Sequence, residues 1–453
     1  MLPSLRVRCL SLACLSLLGG GVFGVPALGQ GFSTVTTPIQ VPLHWRHVNG
    51  DVTGQRKLGI YVTLGGGSTP QLFEFDTGGN GFYATYATGS ASPWWGNAWT
   101  TTGGTFSQSF DSGRVYTGTA ATTTVQLFGS ATASTPLLTA ANAVVGQTTA
   151  IFDTKYTPAE QLWPLPSGTG PPPIEQAFYG DFGMAPKRGQ AGIDQLAAQL
   201  LYGPGVTAGF RVHASDENPW VQFGLSASDT ALATTSFALN VGSGTSPAGV
   251  KYYDNLVVTG SLSVTDGVRE FKQPTGFIFD TGASTTIHSG TNVQFPSDLT
   301  KDGEGTRVKD GALVVVSGSS LLDGNWPAFM NITASATDKV SVQYKDGPYY
   351  LNTGIAPFLE YDLVYNLEGK TLTLVPASAP VPEIDPAGFG SVFAFVVAAL
   401  ALIEQRRHKA TVEMNHLVPA THAGRFVFPR VTCLYSRLCQ TSRSTSYVQR
   451  PCQ

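Results

Sequence analysis

The sequence predicts an all-β protein, and three observations carry that expectation. Gly 52 and Pro 29 punctuate the 453 residues densely, while charged residues make up only 13%, about half the usual share. Segments 58–64, 123–127, 250–262 and 370–375 are rich in β-branched and aromatic residues at a spacing near two, bounded by Gly, Ser and Asn. Only 192–201, with Ile193, Leu196, Ala197 and Leu200 at helical spacing, reads as an amphipathic helix. A hydrophobic fraction of 42% is ample for the cores that such a chain must bury.

In chain order, Arg6 and Arg8, the apolar stretch 10–25 and Ala27-Leu28-Gly29 form the charge, apolar run and small-residue cleavage site of a secretory signal peptide, 1–29, so the mature chain starts near Gln30. Gly65-Gly66-Gly67-Ser68 reads as a hairpin turn between two strands. The proline run from Trp163 to Pro173 is expected to stay out of any ladder as a surface loop. After the Pro-rich 376–386 comes an apolar run, 387–403, just long enough to span a membrane, and then Arg406, Arg407, His408 and Lys409. With Val381-Pro382-Glu383 ahead of it, this end (379–409) resembles the sorting signal of bacterial PEP-CTERM proteins. That resemblance implies an exosortase-like sorting enzyme as partner and delivery to the cell surface, at least transiently anchored. No role is assigned to the tail, 410–453.

Charge and cysteines narrow the classes further. Twenty-seven basic against 30 acidic residues give −3 with no long basic run in the body, which removes the electrostatic footprint of a nucleic-acid binder. Cys9, Cys14, Cys433, Cys439 and Cys452 leave the body without a cysteine, so it folds without disulfides or thiolate metal sites. His44 and His47 lack an evident third ligand, and His213 and His288 are isolated, so no metal site is expected. Neither a G-x-S-x-G elbow nor a phosphate-cradling loop is present.

The chemistry lies in an internal echo. Leu72-Phe73-Glu74-Phe75-Asp76-Thr77-Gly78 is matched 204 positions later by Phe277-Ile278-Phe279-Asp280-Thr281-Gly282, each an apolar strand running into Asp-Thr-Gly. One such triplet is weak, because all three residues suit turns. Two, each ending an aromatic strand, push two carboxylates out of two cores, and carboxylates brought face to face must share a proton.

On these motifs the body resembles the pepsin-like aspartic proteases. Residues 58–62 and 69–72 look like the strands before the first aspartate, and 106–118 lies where the family places its flap. Tyr179-Gly180-Asp181-Phe182-Gly183-Met184-Ala185-Pro186 is similar to the segment supporting the first aspartate loop. Residues 220–224 resemble the strand entering the interlobe region, and 352–354 with 365–372 look like the closing strands. The resemblance implies a bilobal all-β fold, with lobes 30–230 and 231–378 and an active-site cleft between them. It implies an aspartic-type endopeptidase, monomeric and needing no cofactor, that cleaves polypeptides with Asp76 and Asp280 as the catalytic pair. Thr77 and Thr281 would brace the two loops, Gly78 and Gly282 would permit their turns, and Phe110, Gly113, Tyr116 and Tyr83 would belong to the flap or substrate groove; Trp220 is a further groove candidate. The chain departs from the family where Gly79 and Ala283 replace hydroxyl donors. That predicts higher carboxyl pKa values and an optimum less acid than pepsin's. Phe110 stands where a tyrosine is usual, and polar Asn352 where an apolar residue supports the second loop. A surface binding or structural protein that keeps the fold without the activity is the rival reading. A single-lobe dimeric protease is disfavoured by two triplets in one chain.

Overall fold

The computed structural model describes residues 31–50, 55–87, 92–165, 171–231, 233–254, 258–291, 293–301, 306–344 and 346–377. The signal-peptide, sorting-signal, membrane-span and tail assignments at 1–29, 379–409 and 410–453 lie outside the described residues. Among the described residues no helix is long and apolar enough to cross a membrane. Those up to Ala377 belong to one compact unit, built mostly of strands.

The strand Gln71–Asp76 is apolar at Leu72, Phe73 and Phe75 and buried along nearly its whole length. A strand covered on both faces reads as such a run when a parallel neighbour joins it. Here Gln71–Asp76 pairs antiparallel with Arg56–Leu64 across the 65–70 turn, and parallel with Gly180–Gly183 on its other edge. Gly180–Gly183 then pairs antiparallel with Phe82–Thr85, which runs parallel to Leu138–Asp153. A second sheet repeats this order. Glu270–Ile278 pairs antiparallel with Val258–Thr265 and parallel with Tyr350–Asn352. Tyr350–Asn352 pairs antiparallel with Thr286–Ser289, which runs parallel to Ser341–Tyr344.

The register of the two repeats makes residues equivalent across the halves. Asp181 stands opposite Glu74 and Gly183 opposite Asp76, while Asn352 stands opposite Ile278. Glu74 and Ile278 each lie two positions before an Asp-Thr-Gly aspartate, so Asp181 and Asn352 are counterparts. A third, six-stranded sheet joins strands from both halves, with Thr207–His213 against Tyr361–Asn366 at its centre.

Aromatic packing fixes the strands that carry the triplets. Phe73, Phe75, Phe82 and Phe182 are buried, with Phe82 at 5.1 Å from Phe73 and 4.8 Å from Phe182 between ring centres. In the other half, Phe329 lies 5.6 Å from Phe277 and 5.5 Å from Phe279. Each such side chain stabilises by about 1.5–3 kcal/mol through burial alone.

Three expectations need correction. Residues 192–201 do not form an amphipathic helix; they make the 3₁₀ turns Gln190–Gly192 and Leu196–Gln199 and then enter the strand Leu201–Tyr202. The apolar spacing was real, but polar groups are buried there too. Asp194 accepts from Gly189 N, and Gln199 Nε2 donates to Asp194 O and Val144 O, so side chains compete for bonds a helix would make internally. The ladder also reaches into the proline run as far as Trp163, because Glu160–Trp163 pairs with Leu138–Asp153 before the first proline. Finally, 250–262 is not one strand. Lys251–Tyr253 and the start of Val258–Thr265 serve different sheets.

Candidate functional site

Both Asp-Thr-Gly loops are anchored from below by the parallel neighbour strand: Met184 N donates to Asp76 O at 2.6 Å, and Thr353 N donates to Ile278 O at 2.9 Å. The loops then hold each other. Thr77 N donates to Thr281 Oγ1 (3.1 Å) and Thr281 N to Thr77 Oγ1 (3.0 Å). Each hydroxyl passes its own proton on, Thr77 Oγ1 to Phe279 O (2.9 Å) and Thr281 Oγ1 to Phe75 O (2.7 Å). Both threonines are buried, and each hydroxyl uses its donor and an acceptor position, leaving the lattice fully satisfied.

That lattice brings the carboxyls together. Gly78 N donates to Asp76 Oδ1 at 2.7 Å and Gly282 N to Asp280 Oδ1 at 2.8 Å, turning each carboxyl toward the other loop. A Cβ on Gly78 would lie 2.3 Å from Asp280 Cγ, and one on Gly282 would lie 2.6 Å from Asp76 Cγ. These glycines are therefore required by close approach: each leaves room for the opposite acid. Burial above all, with the neighbouring acids Asp280, Asp181 and Glu74 adding to it, holds the Asp76 carboxyl well above the usual carboxylate range. Its protonated form is thereby favoured.

Asn352 does more than leave its loop unsupported by an apolar contact. Its Nδ2 donates to Asp280 Oδ2 at 2.6 Å, while its Oδ1 accepts from Gly354 N at 2.9 Å. The amide thus directs a hydrogen-bond donor at Asp280 Oδ2. Its counterpart Asp181 is only 2% exposed, and neither of its carboxyl oxygens has a hydrogen-bond partner among the described residues. Burial first, then Glu74 and Asp280, pushes the Asp181 carboxyl well up, with Lys57 opposing. Gly79 lies between: a Cβ there would be 2.7 Å from both Asp181 Oδ2 and Asp76 Oδ2. A side chain at position 79 would therefore meet both acids at once.

The two acids open on a cleft of about 360 Å³. One wall is charged. Lys57 Nζ sits 2.7 Å from Glu74 and 3.0 Å from Glu175, and Arg114 lies 3.2 Å from Glu175. Burial works against the Lys57 charge, but the two glutamates hold its ammonium above the ordinary lysine value. Over the cleft runs the hairpin of Trp99–Ser109 and Arg114–Phe128, closed by Gly113 N donating to Phe110 O at 2.9 Å with Gly113 at φ 85°. Phe110 and Tyr116 line the cleft; Gly113 shapes the turn behind it. Tyr83, a groove candidate from the sequence, is instead core: it is wholly buried beneath the hairpin, 5.0 Å from Phe106 and 6.4 Å from Tyr116 between ring centres. Trp220 stacks on His213 in the six-stranded sheet and does not line the cleft.

One closing contact was invisible in the sequence. Tyr350 OH, on the second sheet, donates to Asp111 Oδ2 at the hairpin tip at 2.9 Å, and the Tyr350 ring stacks on His288 at 4.1 Å. Tyr350→Phe is expected to speed amide exchange at 108–113 about tenfold, the equivalent of one lost hydrogen bond to a charged acceptor. Unchanged exchange would show that the tip is held by other contacts. Elsewhere the histidines have ordinary partners: His44 Nε2 is 3.1 Å from Gly129 O and His213 Nδ1 is 2.7 Å from Asp362 Oδ1. Among the described residues no group of His, Cys, Asp or Glu is arranged to hold a metal ion.

No protein-family model matches the chain, and no curated protein matches it either.

Proposed function

We propose that this chain is an aspartic-type endopeptidase of the bilobal, pepsin-like kind, exported and displayed at the bacterial cell surface. The observation that carries the reading is the reciprocal Thr77–Thr281 lattice, which turns the Asp76 and Asp280 carboxyls toward each other across a cleft. Two equivalent strand orders, each delivering one of these acids, support the bilobal fold. The apolar and basic segments at both ends of the sequence support export, a sorting enzyme as partner and a membrane anchor through 387–403.

In this mechanism a water lies between the acids. Asp280, which accepts from the Asn352 amide, takes a proton from the water as the water oxygen attacks the scissile carbonyl carbon. Asp76 gives its proton to the carbonyl oxygen. Collapse of the resulting diol breaks the C–N bond: the leaving nitrogen takes the proton from Asp280, while a diol hydroxyl returns one to Asp76 as the new carboxyl forms. No covalent intermediate forms and the pair ends with one proton, ready for the next water.

Digestion of a denatured protein mixture by the purified full-length protein, across about pH 3 to 7 where such pairs titrate, tests the reading. Internal cleavage blocked by a statine-type inhibitor is expected. A folded protein that cleaves nothing across the range overturns it and favours the surface-binding rival. Gly282→Ala should also cost about a hundredfold in kcat/KM, because a methyl carbon there lies 2.6 Å from Asp76 Cγ and must push that carboxyl by roughly the 1 Å that suffices for such losses. Retained activity in that variant contradicts the facing geometry.

A further inference from the structure

The register that makes Asp181 and Asn352 counterparts leaves one of them unexplained. Asn352 spends its Nδ2 on Asp280 Oδ2. Asp181, at the same place beside the other aspartate, points its Oδ2 at the spot on Gly79 that Asp76 Oδ2 also faces, and among the described residues it finds no hydrogen-bond partner. Resting on the endopeptidase reading, we propose that Asp181 is a third acid of the catalytic centre, a positioning residue that holds a proton and donates it as a hydrogen bond to Asp76, directly or through one water, as the Asn352 amide does to Asp280.

The surroundings decide the proton's place. Glu74 and Lys57, on the adjacent strands, are committed to each other at 2.7 Å, and Lys57 also engages Glu175, which in turn holds Arg114. Tyr83, on the strand antiparallel to Asp181, and Tyr116, on the returning strand of the hairpin, are both held neutral by burial. Lys187 lies at the cleft with Asp181, Asp76 and Asp280. A buried carboxyl between Glu74 and two further acids keeps its proton, since burial and like charge both oppose ionisation. Only the protonated form can donate.

The bond would matter most during the reaction. Asp76 begins as the acid and ends the attack step as a carboxylate, having passed its proton to the substrate oxygen. A donor at Asp76 Oδ2 then grows stronger as charge develops, which is transition-state stabilisation by a group already in place. As pH rises, Asp181 loses its proton, the bond disappears and a negative charge arrives beside Asp76. The alkaline limb of activity thus follows the proton on Asp181 as well as the one on Asp76. Asn in its place cannot titrate and still donates.

The test compares wild type with Asp181→Asn and Asp181→Leu in full-length protein, each checked for its fold by circular dichroism. Asp181→Asn is expected to keep kcat/KM within about threefold on the acid side and to carry activity at least about one pH unit further alkaline, while Asp181→Leu loses about tenfold or more throughout, as a lost donor to a developing charge requires. Infrared difference spectra of wild type minus Asp181→Asn, in the protonated-carboxyl stretching region, need no turnover. They should carry a band that survives to pH values where exposed aspartates are ionised. A wild-type profile unmoved by Asn, equal losses in Asn and Leu, or no such band each overturn the assignment. A wild type that cleaves nothing overturns the catalytic role together with the endopeptidase reading, whereas cleavage with an unmoved profile removes Asp181 alone.

Discussion

Asp76→Asn and Asp280→Asn are each expected to reduce peptide cleavage by about two to four orders of magnitude, the contribution of a positioned acid or base. The double variant should be scarcely worse than either single one. In the proposed mechanism the acids act as a unit on one water, and a unit missing one member has already lost its function. Loss of folding cannot be the cause. An asparagine at either place keeps the Oδ1 that accepts from Gly78 N or Gly282 N, and it leaves the Thr77–Thr281 lattice untouched. It also ends a repulsion: the two acids lie so close that each fills the space of a side chain on the opposite glycine. Unfolding temperatures equal to or above wild type should therefore accompany the lost activity. A single variant that keeps more than about a tenth of wild-type kcat/KM would falsify the shared-water geometry.

The parts of this arrangement visible in the sequence are those that local pattern encodes. An apolar strand running into Asp-Thr-Gly is contiguous, so Asp76 and Asp280 can be found by reading along the chain. The hairpin around Gly113 is likewise local. What needed the fold was register. Asp181 and Asn352 lie in unlike contexts, Gly-Asp-Phe-Gly and Leu-Asn-Thr-Gly, and their equivalence follows from which residue each faces on a parallel strand more than seventy positions away. A signal was present: setting Gly183 against Gly354 places Asp181 opposite Asn352. The Tyr350–Asp111 contact had no such signal, because it joins residues 239 positions apart on different sheets. The 192–201 segment failed for the opposite reason. Its apolar spacing suits a helix, yet Ile193, Leu196, Ala197, Ala198, Gln199 and Leu200 are all buried, and a segment covered on every side has no face for the period to describe.

Asp181→Leu is expected to make the protein more stable and to flatten the dependence of its stability on pH. The carboxyl is 2% exposed and neither oxygen has a hydrogen-bond partner among the described residues, so the folded state bears the cost of desolvating it against at most the one bond proposed to Asp76. Replacing such a group by an apolar one of similar size gains about 1–3 kcal/mol even where the acid is neutral in both states. The pH dependence adds to this. A carboxyl whose folded value lies above its unfolded one binds more protons when folded, so its contribution is fully present below the unfolded value near pH 3.8 and is lost as pH rises toward the folded value. Asp76 and Glu74, both raised by burial, act in the same direction. Wild-type stability should accordingly decline as pH rises from about 4 toward neutrality, by about 1.4 kcal/mol per pH unit for each such group within its titration range. Asp181→Leu should remove one group's share of that slope, and so gain most near neutral pH. Urea unfolding at a series of pH values measures both effects. A variant less stable than wild type at every pH would mean that Asp181 has a partner in solution that compensates its burial. A stability gain with an unchanged slope would mean that Asp181 does not titrate in this range. The expected result has a functional meaning as well. A residue that costs stability where an apolar side chain would add it is retained for what it does beside Asp76, and the cost falls lowest at the acid pH at which two facing carboxyls can share a proton.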